Sequence, residues 1–266
     1  MKALINGINI GYDDNGSGPA VCLIHGFPLD RRMWRPQVMA LASAGYRVIT
    51  PDLRGFGESD PAEGPCSMDL FADDLAALLD HLGIGSAVVG GMSMGGYVLL
   101  NLLERYRERV AAACFIVTRS GADDEAAKER RLSLAHEVMK SGARTAADQF
   151  GKILFAAKTA QERAELAAEV YGWMMEKQPA GVAGGLMAMA ERKDYTDILG
   201  GFNLPALVIG AEDDRAIAVE NALALAQGLP QSRLNIISGA GHLANLEQPE
   251  AFSDCLLEFL RGLPPW

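Results

Sequence analysis

The chain has 266 residues, of which 49% are apolar and 22% charged, with a net charge of −10. This composition is typical of a soluble globular protein with a full core. The negative charge disfavours nucleic acid and membrane surfaces as partners, because both bind clustered Lys and Arg. Asn6, Gly7 and Asn9 interrupt the apolar stretch at the N-terminus, so we expect no signal peptide and a cytoplasmic location.

Short β-branched runs recur along the chain with helical patterns between them. They begin near Ala20, Tyr46, Ala87, Val110, Pro205 and Arg233. Nearly continuous apolar runs predict strands that are covered on both faces, as in a mostly parallel sheet. The first dozen residues predict an antiparallel hairpin at one edge. The alternation of strands and helices predicts a doubly wound α/β domain.

Helical patterns occur between the predicted strands and also fill one long insertion. The segments SMDLFADDLAALLDHLG and QPEAFSDCLLEFLRG have the apolar spacing of amphipathic helices. Residues 120–195 contain no strand candidate, so we predict a helical cap there, inserted into a core formed by residues 1–119 and 196–266. Such an insertion lies over the carboxyl ends of the strands, where open α/β sheets bind ligands.

The segment GGMSMGG, residues 90–96, follows a predicted strand and precedes a predicted helix. It contains G-x-S-x-G around Ser93, and this context is typical of a turn that exposes a serine hydroxyl at a sheet edge. Gly91 and Gly95 leave room for such a bend. The alternative is a tight helix start in which the glycines only permit close packing. Such turns are also common in nucleotide-binding folds, but no phosphate-binding glycine motif accompanies this one.

A serine nucleophile needs a base, and the base needs an orienting carboxylate. Of the four histidines, His242 lies in a glycine-framed loop after the last predicted strand, whereas His81 and His136 lie on predicted helices and His25 precedes Gly26. Glu212, Asp213 and Asp214 end another predicted strand. Serine, acid and histidine therefore occur at three strand ends, in an order that one hydrolase architecture uses.

These motifs together resemble the α/β-hydrolase fold family, in particular bacterial carboxylesterases, enol-lactonases and non-haem haloperoxidase-like serine hydrolases. The resemblance covers residues 20–260 and depends on HGFP, DLRGFGES, GMSMGG, GAEDD and GAGHLANLEQPEAF. It implies a mostly parallel eight-stranded sheet flanked by helices. DLRGFGES is interpreted as a structural loop.

Carried onto this sequence, the resemblance implies Ser93 as nucleophile, His242 as base and Asp213 as acid. Asp213 is preferred to Asp214 because the family usually spaces this acid as G-x-x-D. The backbone N–H groups of Phe27 and Met94 would form the oxyanion hole. The family chemistry requires no cofactor. We find no cysteine or histidine spacing typical of a metal site, and we expect the four cysteines to be isolated thiols.

The expected partner is a small or medium apolar ester or lactone, and the sequence gives no oligomeric state. Candidate pocket residues are Phe27, Met139, Phe155, Trp173, Met174 and Met187, because a cap rich in methionine and aromatic residues suits apolar ligands. Three alternatives stay open: a carbon-carbon bond hydrolase, a perhydrolase, and a receptor of low turnover.

Overall fold

The computed structural model of the chain describes residues 1–61 and 64–266. The described strands are β1 (Lys2–Ile5), β2 (Ile8–Asn15), β3 (Ala20–Ile24), β4 (Arg47–Pro51), β5 (Ala87–Met92), β6 (Val110–Ile116), β7 (Ala206–Ala211) and β8 (Ser232–Ile237). They form one sheet in the order β1-β2-β4-β3-β5-β6-β7-β8. The pairs β1–β2 and β2–β4 are antiparallel, and the other neighbours are parallel. The predicted mostly parallel sheet and edge hairpin are confirmed.

Helices flank this sheet and also fill the segment between β6 and β7. They are α1 (Arg35–Ser43), α2 (Met68–His81), α3 (Met94–Arg105), α4 (Glu125–Ser141), α5 (Arg144–Phe150), α6 (Ala157–Glu162), α7 (Ala164–Met175), α8 (Pro179–Ala190), α9 (Glu220–Gly228), α10 (Ala244–Glu247) and α11 (Pro249–Arg261). Short 3₁₀ helices span Arg31–Trp34, Arg107–Arg109 and Thr196–Gly201. The two predicted amphipathic helices correspond to α2 and α11.

The core has two layers, one on each face of the sheet. Along β3, Cys22 and Ile24 belong to one buried cluster, whereas Val21 and Leu23 belong to the other. Successive strand residues point to opposite faces, so a central strand must be apolar throughout. Edge strand β8 is the exception, because residues 233–235 are exposed. The prediction that this run is covered on both faces is therefore wrong.

The five helices α4 to α8 lie between β6 and β7, where the helical cap is predicted. Helix α8 approaches the DLRGFGES loop so closely that a Cβ at Gly181 would lie 1.7 Å from the carbonyl oxygen of Gly55. Gly55 has a φ of +82°, which glycine adopts readily. Glycine on both sides of the contact therefore allows α8 to pack on the core. The division into core and cap domains remains a prediction.

Two further observations concern the cysteines and the possibility of a membrane-spanning helix. All four cysteines are buried and free, as the absence of paired spacing predicts. None of the helices in the described part of the chain combines the length and apolarity needed to span a bilayer.

Candidate active site

Ser93 lies in a sharp turn between β5, which ends at Met92, and α3, which begins at Met94. Its φ is 51° and its ψ is −112°, and such a conformation costs an L-residue on the order of 1–3 kcal/mol. Hydrogen bonds connect the turn to the end of β6 and the residues after it: the Ser93 N–H donates to Ile116 O at 2.9 Å, and Ser93 O accepts from Thr118 Oγ1 at 2.8 Å. The bend predicted from the motif is therefore present.

The glycines around Ser93 are required by close backbone contacts. A Cβ at Gly91 would lie 2.2 Å from the carbonyl oxygen of Gly95, and a Cβ at Gly95 would lie 2.6 Å from the carbonyl oxygen of Ile24. Carbonyl groups of a sheet and a helix turn cannot move away without breaking their own hydrogen bonds. Alanine at either position would therefore force the backbone of the turn to shift.

His242 lies between β8 and α10 and is 3% exposed. Its Nδ1 lies 2.8 Å from Oδ2 of Asp214, whose side chain is 1% exposed. Because a carboxylate only accepts hydrogen bonds, this pair assigns the ring proton to Nδ1 and leaves Nε2 free to accept one. The other oxygen, Asp214 Oδ1, accepts from the N–H groups of Ala216 at 2.8 Å and Ile217 at 2.9 Å. These bonds fix the orientation of the carboxylate.

The prediction that Asp213 supplies this carboxylate is wrong, because Asp214 occupies the place. The Asp213 N–H donates to Ala240 O at 2.9 Å, and its side chain is exposed. The turn after β7 therefore directs Asp213 to solvent and the next residue towards the histidine. Counted from Gly210, the G-x-x-D spacing stops one residue too early for this turn.

The loop that carries His242 is attached to residues 154–156 of the predicted cap. The buried carboxylate of Glu247 accepts from the Gly241 N–H at 2.9 Å and from the Ala156 N–H at 3.0 Å. The Leu243 N–H donates to Leu154 O at 3.0 Å. Burial raises the pKa of Glu247, while these N–H groups act in the opposite direction. The position of the predicted base therefore depends on contacts with the predicted cap.

The two predicted oxyanion donors both belong to backbone close to Ser93. Met94 is the first residue of α3, and Phe27 follows Gly26, at which a Cβ would lie 3.5 Å from Ser93 Cβ. Within the described residues, neither the Phe27 N–H nor the Met94 N–H donates a hydrogen bond to a protein group. Both N–H groups are therefore available to an acceptor next to the serine.

Ser93, His242 and Phe27 line one cavity with a volume of about 520 Å³, which is in the range of small-molecule sites. Within the described residues, no hydrogen bond joins Ser93 Oγ to the His242 ring. Catalytic hydrogen bonds often tighten only when substrate is bound.

Of the six predicted pocket residues, only Phe27 lines this cavity. Met139 is 58% exposed on the surface. Phe155, Trp173 and Met174 are buried in one of the two core clusters, and Met187 packs against the other. Beside Phe27, the larger apolar side chains of the lining are Tyr97, Leu134, Phe150, Ile153, Leu186, Met189 and Ile217. The prediction is wrong for five of the six because helical periodicity does not tell which face of a cap helix covers the site.

A charged wall, defined by Arg119, Arg130, Arg131 and Asp123, also lines the cavity. None of these four residues was predicted from the sequence. The buried Asp123 carboxylate pairs with Arg119, with Arg131 Nε at 2.5 Å and with Arg192 Nη2 at 2.8 Å. Burial alone would raise the pKa of Asp123, but the guanidinium groups lower it to about 2. The signal in the sequence that could have indicated this wall is the presence of charged residues at both ends of the segment 119–131. The wall makes the cavity amphipathic rather than apolar.

The comparisons with known proteins agree with this fold. A family model for the alpha/beta hydrolase fold matches residues 19–249. The chain belongs to the alpha/beta hydrolase family.

Solved structures similar to this alpha/beta hydrolase include two with enzymatic descriptions. A thermophilic esterase from Thermogutta terrifontis, solved with malate bound, is 39% identical with a TM-score of 0.95, covering 98% of this chain and 97% of the other. An enol-lactonase from Burkholderia xenovorans is 27% identical with a TM-score of 0.91, covering 98% of this chain and all of the other. A protein of Mycobacterium tuberculosis that carries the name of a non-heme bromoperoxidase is 34% identical, over 96% of this chain and 99% of its own.

The remaining histidine near the site of this alpha/beta hydrolase is structural. His25 is fully buried, its Nε2 accepts the Leu53 N–H at 3.0 Å, and its Nδ1 lies 3.0 Å from Gly26 O. Burial lowers the pKa of His25, although Asp52 acts in the opposite direction. The ring therefore stays neutral and shapes the loop before Phe27, as its sequence position predicts. No group of three or more potential metal ligands occurs within residues 1–61 and 64–266.

Proposed function

We propose that this alpha/beta hydrolase cleaves carboxylic esters or lactones of small to medium size through an acyl-enzyme on Ser93. The observation that carries the proposal is the buried hydrogen bond between His242 Nδ1 and Asp214 Oδ2 beside the cavity that Ser93 also lines. The names of the esterase and the enol-lactonase among its structural relatives support the same reaction class.

In the proposed mechanism, Ser93 Oγ attacks the carbonyl carbon while His242 Nε2 takes the hydroxyl proton. Asp214 keeps the ring in the required tautomer and stabilises the imidazolium. The oxyanion accepts hydrogen bonds from the N–H groups of Phe27 and Met94, and one such donor is typically worth about 2.7–4 kcal/mol in the transition state. His242 returns the proton to the leaving alcohol. Water, activated by the same ring, then releases the acid and restores Ser93.

The mechanism assigns different roles to backbone and side chain. Since both oxyanion donors are backbone groups, changing the side chain of Phe27 or Met94 alters the pocket and leaves the donors in place. Removing the Ser93 hydroxyl instead removes the nucleophile. For hydrolases with such a catalytic group, this loss costs on the order of 10⁴-fold or more in kcat.

The test is hydrolysis of a chain-length series of p-nitrophenyl esters by the wild type, by Ser93→Ala and by the control Ser141→Ala, whose serine is exposed at the end of α4. Each reaction is followed past several turnovers. We expect multiple turnovers for the wild type and the control, and none for Ser93→Ala. Release of a single equivalent by the wild type would contradict the proposal and favour the receptor of low turnover.

A second reaction is proposed for the same site because of the relative named as a non-heme bromoperoxidase. Hydrogen peroxide would replace water in attacking the acyl-enzyme, which gives a peracid and free Ser93. The test adds hydrogen peroxide and bromide to the ester assay and follows bromination of a phenol dye. Bromination that depends on Ser93 supports this second activity, and its absence contradicts it without affecting ester hydrolysis.

A further inference from the structure

The charged wall of the cavity contains more guanidinium hydrogen-bond donors than its own acceptors use. Three arginines and two aspartates line the cavity, although the whole chain has a net charge of −10. One of these aspartates, Asp124, is committed to α4, because its side chain caps the helix by accepting the Ala127 N–H at 2.7 Å. The lining therefore carries a local positive charge against the overall sign of the protein.

The donors of the wall are only partly satisfied within the described residues. Arg119 Nε is buried without a hydrogen-bond partner. Arg131 uses Nε for Asp123, and its Nη1 reaches only a sulfur, Met189 Sδ at 3.5 Å. Arg130 is exposed, and no described hydrogen bond involves its side chain. A buried donor without a partner is rare in native proteins and often marks a functional site.

Arginine binds carboxylates through paired N–H groups, and these charge-assisted hydrogen bonds are stronger than neutral ones. Asp123 already holds Arg119 and Arg131 against the cavity wall, so their positions are set before a ligand arrives. The lining has one more arginine than aspartate, which matches a single negative charge. Ser93 and His242 lie on the same cavity, so an anion at the wall would belong to the molecule that reacts.

We propose that the substrate of this enzyme is an ester or lactone that carries a carboxylate, which binds Arg119, Arg130 and Arg131 while Ser93 attacks the ester carbonyl. This inference deepens the proposed function and depends on it. It replaces the expectation of a purely apolar substrate.

The experiment compares two esters whose acyl chains have the same number of carbons, p-nitrophenyl pentanoate and the mono-p-nitrophenyl ester of glutaric acid. In the second, a carboxylate replaces the methyl group at the end of the chain. The readout is the ratio of their kcat/KM values, charged over neutral, after subtraction of the uncatalysed rates. For the wild type we expect a ratio of at least about 10, because charged hydrogen bonds of this kind typically change affinity by that factor or more.

The variants are Arg130→Gln and Arg119→Gln, with Arg144→Gln as control. Arg144 is exposed at the start of α5 and does not line the cavity, so it matches the charge change elsewhere. We expect the ratio to fall at least about fivefold in either wall variant, through KM for the charged ester, and to stay unchanged in the control. Arg130→Gln carries the test if Arg119→Gln does not fold, since Arg130 makes no described hydrogen bond.

The outcomes separate the two proposals. No turnover of either ester by the wild type would contradict the hydrolase itself. Turnover of the neutral ester with a ratio near or below one would overturn the carboxylate inference alone. A high ratio that survives both wall substitutions, or that falls equally in Arg144→Gln, would overturn the assignment to this wall.

Discussion

The exchange of Asp214 for Asn tests the site most directly, because its neighbour Asp213 provides a matched control. The Asp214 carboxylate is 1% exposed and accepts three hydrogen bonds: two backbone N–H groups on Oδ1 and His242 Nδ1 on Oδ2. Asn has one acceptor oxygen and one NH₂ donor. The two backbone N–H groups favour the orientation that keeps the oxygen towards them, so the NH₂ faces the ring.

The ring must then accept at Nδ1 and carry its proton on Nε2, where it cannot take the proton of Ser93. In a triad hydrolase of another fold, the same exchange lowers kcat by about 10⁴-fold, which corresponds to about 5.4 kcal/mol of transition-state stabilisation. We expect a loss of this order for Asp214→Asn. Asp213→Asn should stay within about threefold of wild type, because an exposed side chain typically contributes less than about 0.5 kcal/mol.

The assay is steady-state hydrolysis of p-nitrophenyl butyrate at neutral pH, with thermal unfolding measured on the same samples to show that both variants are folded. A folded Asp214→Asn variant within about tenfold of wild type would refute the role assigned to this carboxylate. A loss of three or more orders of magnitude in Asp213→Asn would show that the side chains exchange places when substrate binds.

Two further predictions concern stability. We expect Gly95→Ala to lower the free energy of unfolding by about 2 kcal/mol or more, because the new Cβ would lie 2.6 Å from Ile24 O. The control is Gly85→Ala, whose Cβ would meet nothing within 4 Å and which should change the free energy of unfolding by less than about 1 kcal/mol. Equal urea midpoints for the two variants would contradict this reasoning. Burial lowers the pKa of His25 in the folded chain, so below about pH 6.5 the unfolded chain binds a proton that the folded chain does not. The free energy of unfolding should therefore fall as the pH drops below that value. Urea titrations at several pH values in this range should show that the free energy of unfolding depends less steeply on pH in His25→Gln than in wild type. Equal slopes would show that the ring titrates alike in both states.

The sequence predicts those parts of the site that depend on local backbone chemistry. Gly91 and Gly95 flank Ser93 because the bend has no room for a Cβ at either position. The sequence motif alone is enough to predict this requirement. The choice between Asp213 and Asp214 is not local, since it depends on which residue of a turn faces the ring. A spacing rule that is one residue short selects the solvent-facing neighbour.

The pocket could not be predicted because it depends on how the cap helices rotate against the core. Trp173 and Met174 have the composition of a pocket wall but are buried in a core cluster. Arg130 and Arg131 are of a residue type that predicts a solvent-exposed helix face, but they line the cavity. Periodicity identifies an apolar face of a helix, and only tertiary packing decides what that face covers.

The attachment of the His242 loop to residues 154–156 limits how the two parts of the molecule can be recombined by protein engineering. Hydrogen bonds through Glu247 and Leu154 hold the His242 loop and residues 154–156 in a fixed position relative to each other. A cap transplanted from a relative to change specificity would remove the support beneath the base along with the old pocket. Chimeras should therefore be joined after residue 156, so that the chain keeps its own support for the base and exchanges only the helices beyond it.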